Sequence, residues 1–506
     1  MKTSVLAAAV LCSLAIAQAP DAAKRWWAHV RVLAADDMEG RDTGSDGYRR
    51  AERYVVEQFE RSGLKPAGVS TYFQPVPLRS WRADKSTVQW IHDGKSEDLR
   101  MNWEVSIIPR ATVSSKIEAG MIFAGYGATE SDFGGLDAKG KLVLVLPGAR
   151  GSAAQRTRLL INLGAAGIVT VDNPRAIEPP KWPAAYSRTV AIDAGDRPPI
   201  GPQLLALRLS AAEAGKILPT GGHSFEEILD LASTGKSLPH FALPGSLRLD
   251  VHIDEEKLTS DNIIAALPGS DPALANEYIV VSAHLDGYGF GEPVNGDRIY
   301  NGAMDDAASV ANLLELAADL KRSGKKLRRS LLFLVVTGEE KGLLGSNYFV
   351  AHPTIAKEKL VADINLDYLR PIFPLKILTT LGLEESALGD AVRKVAGPMN
   401  IRIQADDEPE RGLFTRSDQY NFIRNGVPGI AFIFGYEKGS AEEKTYRQWY
   451  AERYHRPSDD INQPVDMTAA AKFHQFFSNL VAEVANADSR PKWNPSSRYA
   501  HPSPAP

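Results

Sequence analysis

The chain has a single cysteine, Cys12. It lies near the amino terminus, inside the apolar stretch Val5–Ile16, which follows Lys2 and runs into the small-x-small triplet Ala15-Ile16-Ala17. A short positive segment, an apolar segment and such a triplet make up a secretory signal peptide, so cleavage is expected after Ala17. The mature chain would then carry no thiol. That excludes disulfides and thiolate metal sites, and any transition metal has to be held by His, Asp and Glu. Long apolar runs are missing too. Val5–Ile16 is shorter than the roughly 20 residues a membrane span needs, and no later stretch is long and apolar enough. There is no excess of positive charge: 58 Lys and Arg stand against 62 Asp and Glu, a formal net charge of −4. With no Lys/Arg-rich block, nothing points to nucleic acid or to an anionic membrane as partner. The expected location is secreted or periplasmic, and oligomeric state is not legible.

What is present is an ordinary globular balance in a long chain. Of 506 residues, 44% are hydrophobic and 24% charged, which is normal for folded protein but too long for one ordinary domain. After the signal segment, Arg25–Leu64 reads as helical, interrupted by the polar, Gly-rich loop EGRDTGSDG (Glu39–Gly47). Short alternating runs from Tyr72 to Ile108 suggest strands. From Lys116 the pattern changes to strand, strand, helix, strand (EAGMIFAGYGA, GKLVLVLPG, LLINLGAAGIVTVDN), and a second composition break falls near Leu238–Pro244. This middle block reads as an inserted domain. Beyond it, strands at Asn262–Leu267, Tyr278–Ala283, Ser330–Thr337, Ala362–Leu366 and Gly429–Phe434 alternate with helices at Ala307–Arg322, Gly342–Ala351, Glu384–Ala396 and Thr468–Asn486. That alternation is the mark of an α/β domain. The expected boundaries are 1–17 for the signal, 18–108 and 246–490 for the main domain, 109–245 for the insertion and 491–506 for a Pro/Ser-rich tail.

Three apolar strands end in acidic or His-bearing loops. IVVSAHLD ends with His284 and Asp286, LLFLVVTGEE with Glu339 and Glu340, and VADINLD with Asp367. Ligands of open α/β sheets bind beyond the carboxyl ends of the strands, so these side chains should converge. NGAMDDAAS adds Asp305 and Asp306 before a helix, and RYHRPSDD adds Tyr454 and His455. Each residue has a plain alternative: Asp306 reads as a helix N-cap, the Glu pair as an acidic first turn, and His455 as part of a surface loop. Taken together they fit a two-metal hydrolase better. Two zincs can share one bridging carboxylate and one water, each with its own His and terminal carboxylate. A further carboxylate is then needed to take the proton from the water, and one of Glu339 and Glu340 suits that role. Asp286 is placed to orient the His284 imidazole through its second nitrogen.

The motifs SAHLDGYG, YNGAMDDAASVANLLELA, VTGEEKGLLGSNYF, INLDYL and YHRPSDD, in this order, resemble the zinc aminopeptidases of peptidase family M28. RSDQYNFIRNGVPGIAF (Arg416–Phe432) resembles the family's late segment. The resemblance implies an α/β fold built on a mixed sheet in three layers, the zinc exopeptidase fold. It also implies two Zn2+ per chain: His284 and Asp367 on separate zincs, Asp305 bridging, and Glu340 and His455 completing the set. Glu339 would be the general base acting on a metal-bridged water, and Tyr454 a phenol for the oxyanion. The middle block resembles the protease-associated (PA) domain inserted in some members, through FAGYGA, LDAKGKLVLVLPG and LGAAGIVTV. Three departures, Gly287, Tyr368 and Ser417-Asp418-Gln419-Tyr420, remove no ligand but bear on the shape of the substrate pocket. The implied activity is aminopeptidase action on peptides. Alternatives are a carboxypeptidase, with Arg370 or Arg416 as the cation for the substrate carboxylate, a one-zinc glutaminyl cyclase, or a non-catalytic receptor-like relative.

Overall fold

The computed structural model describes residues 21–110, 116–148, 151–195 and 204–500. The signal segment with Cys12, and the end of the tail, lie outside them. The chain divides into two compact units. One holds the residues up to Val76, Thr259–Phe290 and those from Asp297 onward; the other holds Pro77–Leu258 and Gly291–Gly296.

The first unit is built on a mixed sheet. Its strands include β1 (Asp254–Leu267, entering the unit at Thr259), β2 (Tyr278–His284), β3 (Ser330–Val336), β4 (Leu360–Asn365), β5 (Ile377–Leu381), β6 (Arg402–Ala405) and β7 (Gly429–Gly435). They lie in the order β6-β5-β7-β4-β2-β3-β1. The central strands β3, β2, β4 and β7 run parallel, whereas β1 pairs with β3 and β5 with β7 in the antiparallel sense.

The run SLLFLVV is buried at every position of β3, and the pleat splits it between two faces. Leu331, Phe333 and Val335 join a core with α1 (Asp46–Arg61), α2 (Ala308–Ser323) and α7 (Met467–Asn486). Leu332, Leu334 and Val336 join a second core with Phe349 of α3 (Leu344–Ala351) and Phe422 of α5 (Gln419–Arg424). Helices cover both faces, as the three-layer expectation requires. Each large apolar side chain so buried contributes about 1.5–3 kcal/mol, and this packing fixes where the strand ends stand.

The expected strands and helices of this unit are all present, with ends displaced by a few residues. β5, β6, α5 and α6 (Ala441–Glu452) were not expected. β6 is short and half exposed, and α6 carries little apolar periodicity in AEEKTYRQWYAE. The tail is tied down at Trp493, which bridges to Ser386.

The second unit has its own eight-stranded sheet, in the order 95–99, 87–92, 240–250, 116–124, 142–145, 167–171, 205–209, 105–108. It also has its own core, centred on Trp90, Phe123, Leu144, Val169 and Leu207. The boundaries expected at 109 and 245 are therefore displaced. Thr87–His92 pairs with His240–Asp250, Lys95–Leu99 with Thr87–His92, and Val105–Ile108 with Leu205–Leu209. Strands assigned from sequence to the first domain thus hydrogen-bond into the second.

Candidate metal centre

The site lies in the first unit, at the carboxyl ends of its parallel strands. His284 closes β2, the Glu339–Glu340 pair follows β3, and Asp367 follows β4. Asp305 sits in the tight turn 303–307 ahead of α2. Gly302 makes that turn possible. Its φ is +60°, and a Cβ there would stand 2.3 Å from the Asp305 carbonyl oxygen, so no other residue fits. His455 follows α6, with φ +54°. Asp459, two turns further on, ties the two segments together by accepting the Met304 and Asp305 amides at 3.0 Å each.

Two groups of donors emerge, and they share one residue. His284, Asp305 and Asp367 form the first; Asp305, Glu340 and His455 form the second. His284 Nε2 stands 3.6 Å from Asp305 Oδ1 and 3.7 Å from Asp367 Oδ1. His455 Nε2 stands 3.2 Å from Asp305 Oδ2 and 3.3 Å from Glu340 Oε1. Each imidazole thus faces a different oxygen of Asp305, the geometry of a bridging carboxylate. Glu339 Oε2 comes within 3.9 Å of His284 Nε2 but belongs to neither group.

The electrostatics favour cations. Asp305, Asp306, Asp367, Glu339 and Glu340 crowd together, and Arg370 is the fixed cation in contact, with Nη2 3.3 Å from Asp305 Oδ1. Asp305 Oδ2 and both Asp306 carboxylate oxygens are buried without a hydrogen bond. Buried carboxylates left this way are costly unless a cation joins them. Burial would raise the Asp305 carboxyl, but Arg370, then His284 and His455, hold it well below the usual range. Glu339 goes the other way: burial, with Asp367 and Glu340 adding to it, pushes its carboxyl well above the usual range. Asp418, buried nearby and bonded to Ser346, is raised to about 7 by burial. The nitrogen and oxygen donors, with no sulfur, suit zinc or a similar divalent ion.

Other expectations meet the structure differently. Asp306 is not an N-cap: α2 has no side-chain cap, and the Asp306 carboxylate is buried 3.9 Å from His284 Nε2. The Glu pair is not a helical first turn, since α3 begins only at Leu344. Asp286 does orient His284, but through its main-chain carbonyl, 3.0 Å from Nδ1, while its carboxylate stays 3.9 Å away. That carboxylate instead accepts the Glu339 amide at 2.9 Å and the Thr43 hydroxyl at 3.0 Å, fixing the start of the Glu pair. Arg370 is 1% exposed, donates to the Asp367 carbonyl and stacks over Trp449, so it cannot meet a substrate carboxylate. Arg416 lines the cavity at the metal donors, with Tyr368, Leu413 and Tyr454. The Tyr454 ring stacks on His455, centroids 3.6 Å apart.

Two supports escaped the sequence reading. Arg41, in the EGRDTG loop and fully buried, donates to the carbonyls of Leu33, Leu285, Asn301 and Gly302. Tyr288 places its hydroxyl 3.1 Å from His455 Nδ1. The only sequence hint was polarity inside otherwise Gly-rich loops. A third donor group, Glu315, Asp319 and His474, lies on α2 and α7. Its carboxylates already pair with Arg25 and Arg322, so it is a charge-balanced cluster.

Comparison with known proteins agrees with this geometry. Residues 262–481, which carry every donor named above, match the model of peptidase family M28. The likeness to this family is carried by that segment, less than half of the chain. Among curated proteins, the chain is 28% identical over 242 residues to a probable leucine aminopeptidase 2 of Aspergillus oryzae, covering 45% of this chain and 46% of that one. It is 25% identical over 406 residues to the Aspergillus fumigatus probable leucine aminopeptidase 2, covering 78% and 69%. The chain spans about half the length of most curated relatives it matches. Among solved structures, the aminopeptidase from Aneurinibacillus sp. strain AM-1 superposes with a TM-score of 0.60 at 18% identity, over 91% of this chain and 93% of that one. BSAP, a zinc aminopeptidase from Bacillus subtilis, gives 0.58 at 17% identity, over 91% and 94%. At such identities the structures show a common fold.

Proposed function

We propose that the chain is a secreted dizinc exopeptidase that cleaves the first peptide bond of peptides with a free amino terminus. The observation that carries this reading is the sharing of Asp305 by two donor groups, each with its own histidine and terminal carboxylate. His284, Asp305 and Asp367 would hold one zinc, and Asp305, Glu340 and His455 the other. When bound, the zincs supply Lewis acidity toward the substrate carbonyl and toward a water.

The rest is the work of the chain's own residues. Glu339, beside both groups but in neither, takes the proton of the water at its carboxylate and passes it to the leaving amine. Its raised affinity for a proton suits that transfer. Asp286, itself held by the Thr43 hydroxyl, accepts the Glu339 main-chain amide and holds it in place. Tyr454 keeps its phenolic proton, because burial, with Asp305 and Glu340, pushes its pKa well above the usual value. It is therefore a donor for the developing oxyanion. Excess carboxylate around the cavity favours a substrate that presents an ammonium group. The signal segment supports export, and the second unit is proposed as a PA-type domain on the strength of FAGYGA, LDAKGKLVLVLPG and LGAAGIVTV.

Carboxypeptidase action is the second reading, favoured by Arg416 in the wall of the same cavity. A one-zinc cyclase fits less well, because both donor groups are complete. The test is a panel of free, N-blocked and C-blocked peptides, each with and without chelator. The expected result is cleavage of free and C-blocked peptides, abolished by chelator and restored by zinc. Cleavage indifferent to chelator would overturn the reading, and cleavage confined to peptides with a free carboxyl terminus would move it to the second.

A further inference from the structure

The two histidines of the site differ in how their second nitrogen is held. A histidine that ligates through Nε2 carries its proton on Nδ1, and the group meeting that proton fixes both tautomer and ring plane. For His284 the partner is a main-chain carbonyl, set by the fold of the loop itself. For His455 it is a side chain from a different loop, the Tyr288 hydroxyl at 3.1 Å.

His455 needs that support more. It stands in a loop with a left-handed backbone, φ +54°, and its side chain is 25% exposed against 1% for His284. The Tyr288 ring is itself held. Its centroid lies 4.6 Å from the His455 ring, and Lys341 Nζ lies 4.8 Å from it in a cation–π contact. Lys341, with a side chain only 5% exposed, is fixed by the Gly287 carbonyl at 3.1 Å and by Asp42 at 3.2 Å. Lys341 directly follows the Glu339–Glu340 pair, so one turn supplies both the carboxylates and the clamp.

We infer that Tyr288 is a positioning residue for the Asp305–Glu340–His455 site. Its hydroxyl accepts the Nδ1 proton of His455 and so keeps the Nε2 lone pair directed between Asp305 and Glu340. The inference rests on the two-zinc reading above.

The test uses the full mature chain, stripped of metal and titrated with Zn2+ against a chromophoric chelator. Tyr288→Phe removes only the hydroxyl and keeps the ring contacts; near-UV circular dichroism checks that the fold is unchanged. The expected result is that one of two zinc-binding transitions weakens by about 10–100-fold while the other stays within about twofold. The transition that moves should be the one His455→Ala abolishes. Saturating zinc should restore kcat in Tyr288→Phe with KM unchanged, which a general loss of structure would not allow. Transitions that superimpose on those of the parent chain overturn the inference, as does a shift in the transition that survives His455→Ala. A parent chain that takes up no zinc would instead remove the reading on which the inference stands.

Discussion

At the scale of single residues, the Glu339–Glu340 pair makes the clearest statement about chemistry. Adjacent residues after a strand point in different directions, and here one carboxylate completes a donor group while the other does not. Glu339→Ala should therefore retain two zincs and lose turnover by roughly 10²–10⁴-fold, the usual worth of a general base. Glu340→Ala should lose both one zinc and turnover. Elemental analysis beside kcat decides the matter, and loss of metal in the Glu339 variant would mean the two roles are reversed. His284, Glu340 and Asp367 were legible because each follows an apolar run whose parallel strand forces the ends together, and Asp305 because it precedes a helix; His455, after the unexpected α6, was legible only through the motif YHRPSDD. Asp306 shows the limit of such reading. The same letter before the same helix serves as a cap or as a buried charge, and only its neighbour His284, far away in sequence, distinguishes the two. The supporting roles of Tyr288, Arg370 and Thr43 were hidden for the same reason, since each acts through a partner that only the folded chain supplies.

At the scale of elements, the EGRDTG loop behaves as a fastener for the loops that bear the donors. Arg41 joins Leu285, just past His284, to Asn301 and Gly302, just before Asp305, using carbonyls alone. Its neighbour Asp42 pairs with Lys341, and the Gly287 amide donates to the Arg41 carbonyl. Arg41→Met removes the donor that four carbonyls share, of which that of Gly302 keeps the Ala307 amide, and should cost about 3 kcal/mol or more, measured by chemical denaturation of the metal-free chain. A loss below about 1 kcal/mol would mean that water or a rearranged loop satisfies those carbonyls. Helix α1, which follows this loop, carries a second buried charge. Glu52 faces β1 and accepts the Asp261 amide at 3.3 Å. Burial, then Asp261, raises its carboxyl from its ordinary value of 4.5 to about 8. Between those values the folded chain binds more protons than the unfolded one, so stability falls as pH rises from about 4.5 to about 8 and levels off beyond. Glu52→Gln should flatten that part of the profile and raise Tm at pH 8 relative to the parent chain. An unchanged slope over the window would assign it to other groups.

At the scale of the whole chain, the alternating elements were enough to forecast an α/β unit with β3 buried on both faces, while its mixed-sheet, three-layer form came with the family resemblance. The limits of the second unit were not readable, because alternating runs such as TVQWIH and KSEDLR say that a strand exists without saying which sheet it joins. Hydrogen bonding of 87–92 to 240–250, and of 95–99 to 87–92, decides that. The consequence is that each unit packs around apolar core residues of its own, with the metal donors in the first unit. Binding stabilises only the state that binds, by RT ln(1 + [L]/Kd), about 2.7 kcal/mol at 100 times Kd. Calorimetry of the full mature chain should therefore show two transitions, with zinc moving one of them upward by several degrees and leaving the other in place. Hydrogen exchange assigns them: the transition that moves should coincide with slowed exchange in β2, β3 and β4, and exchange in 116–124 and 142–145 should not respond. A single transition displaced as a whole by zinc would show that the two cores unfold together despite their separate packing.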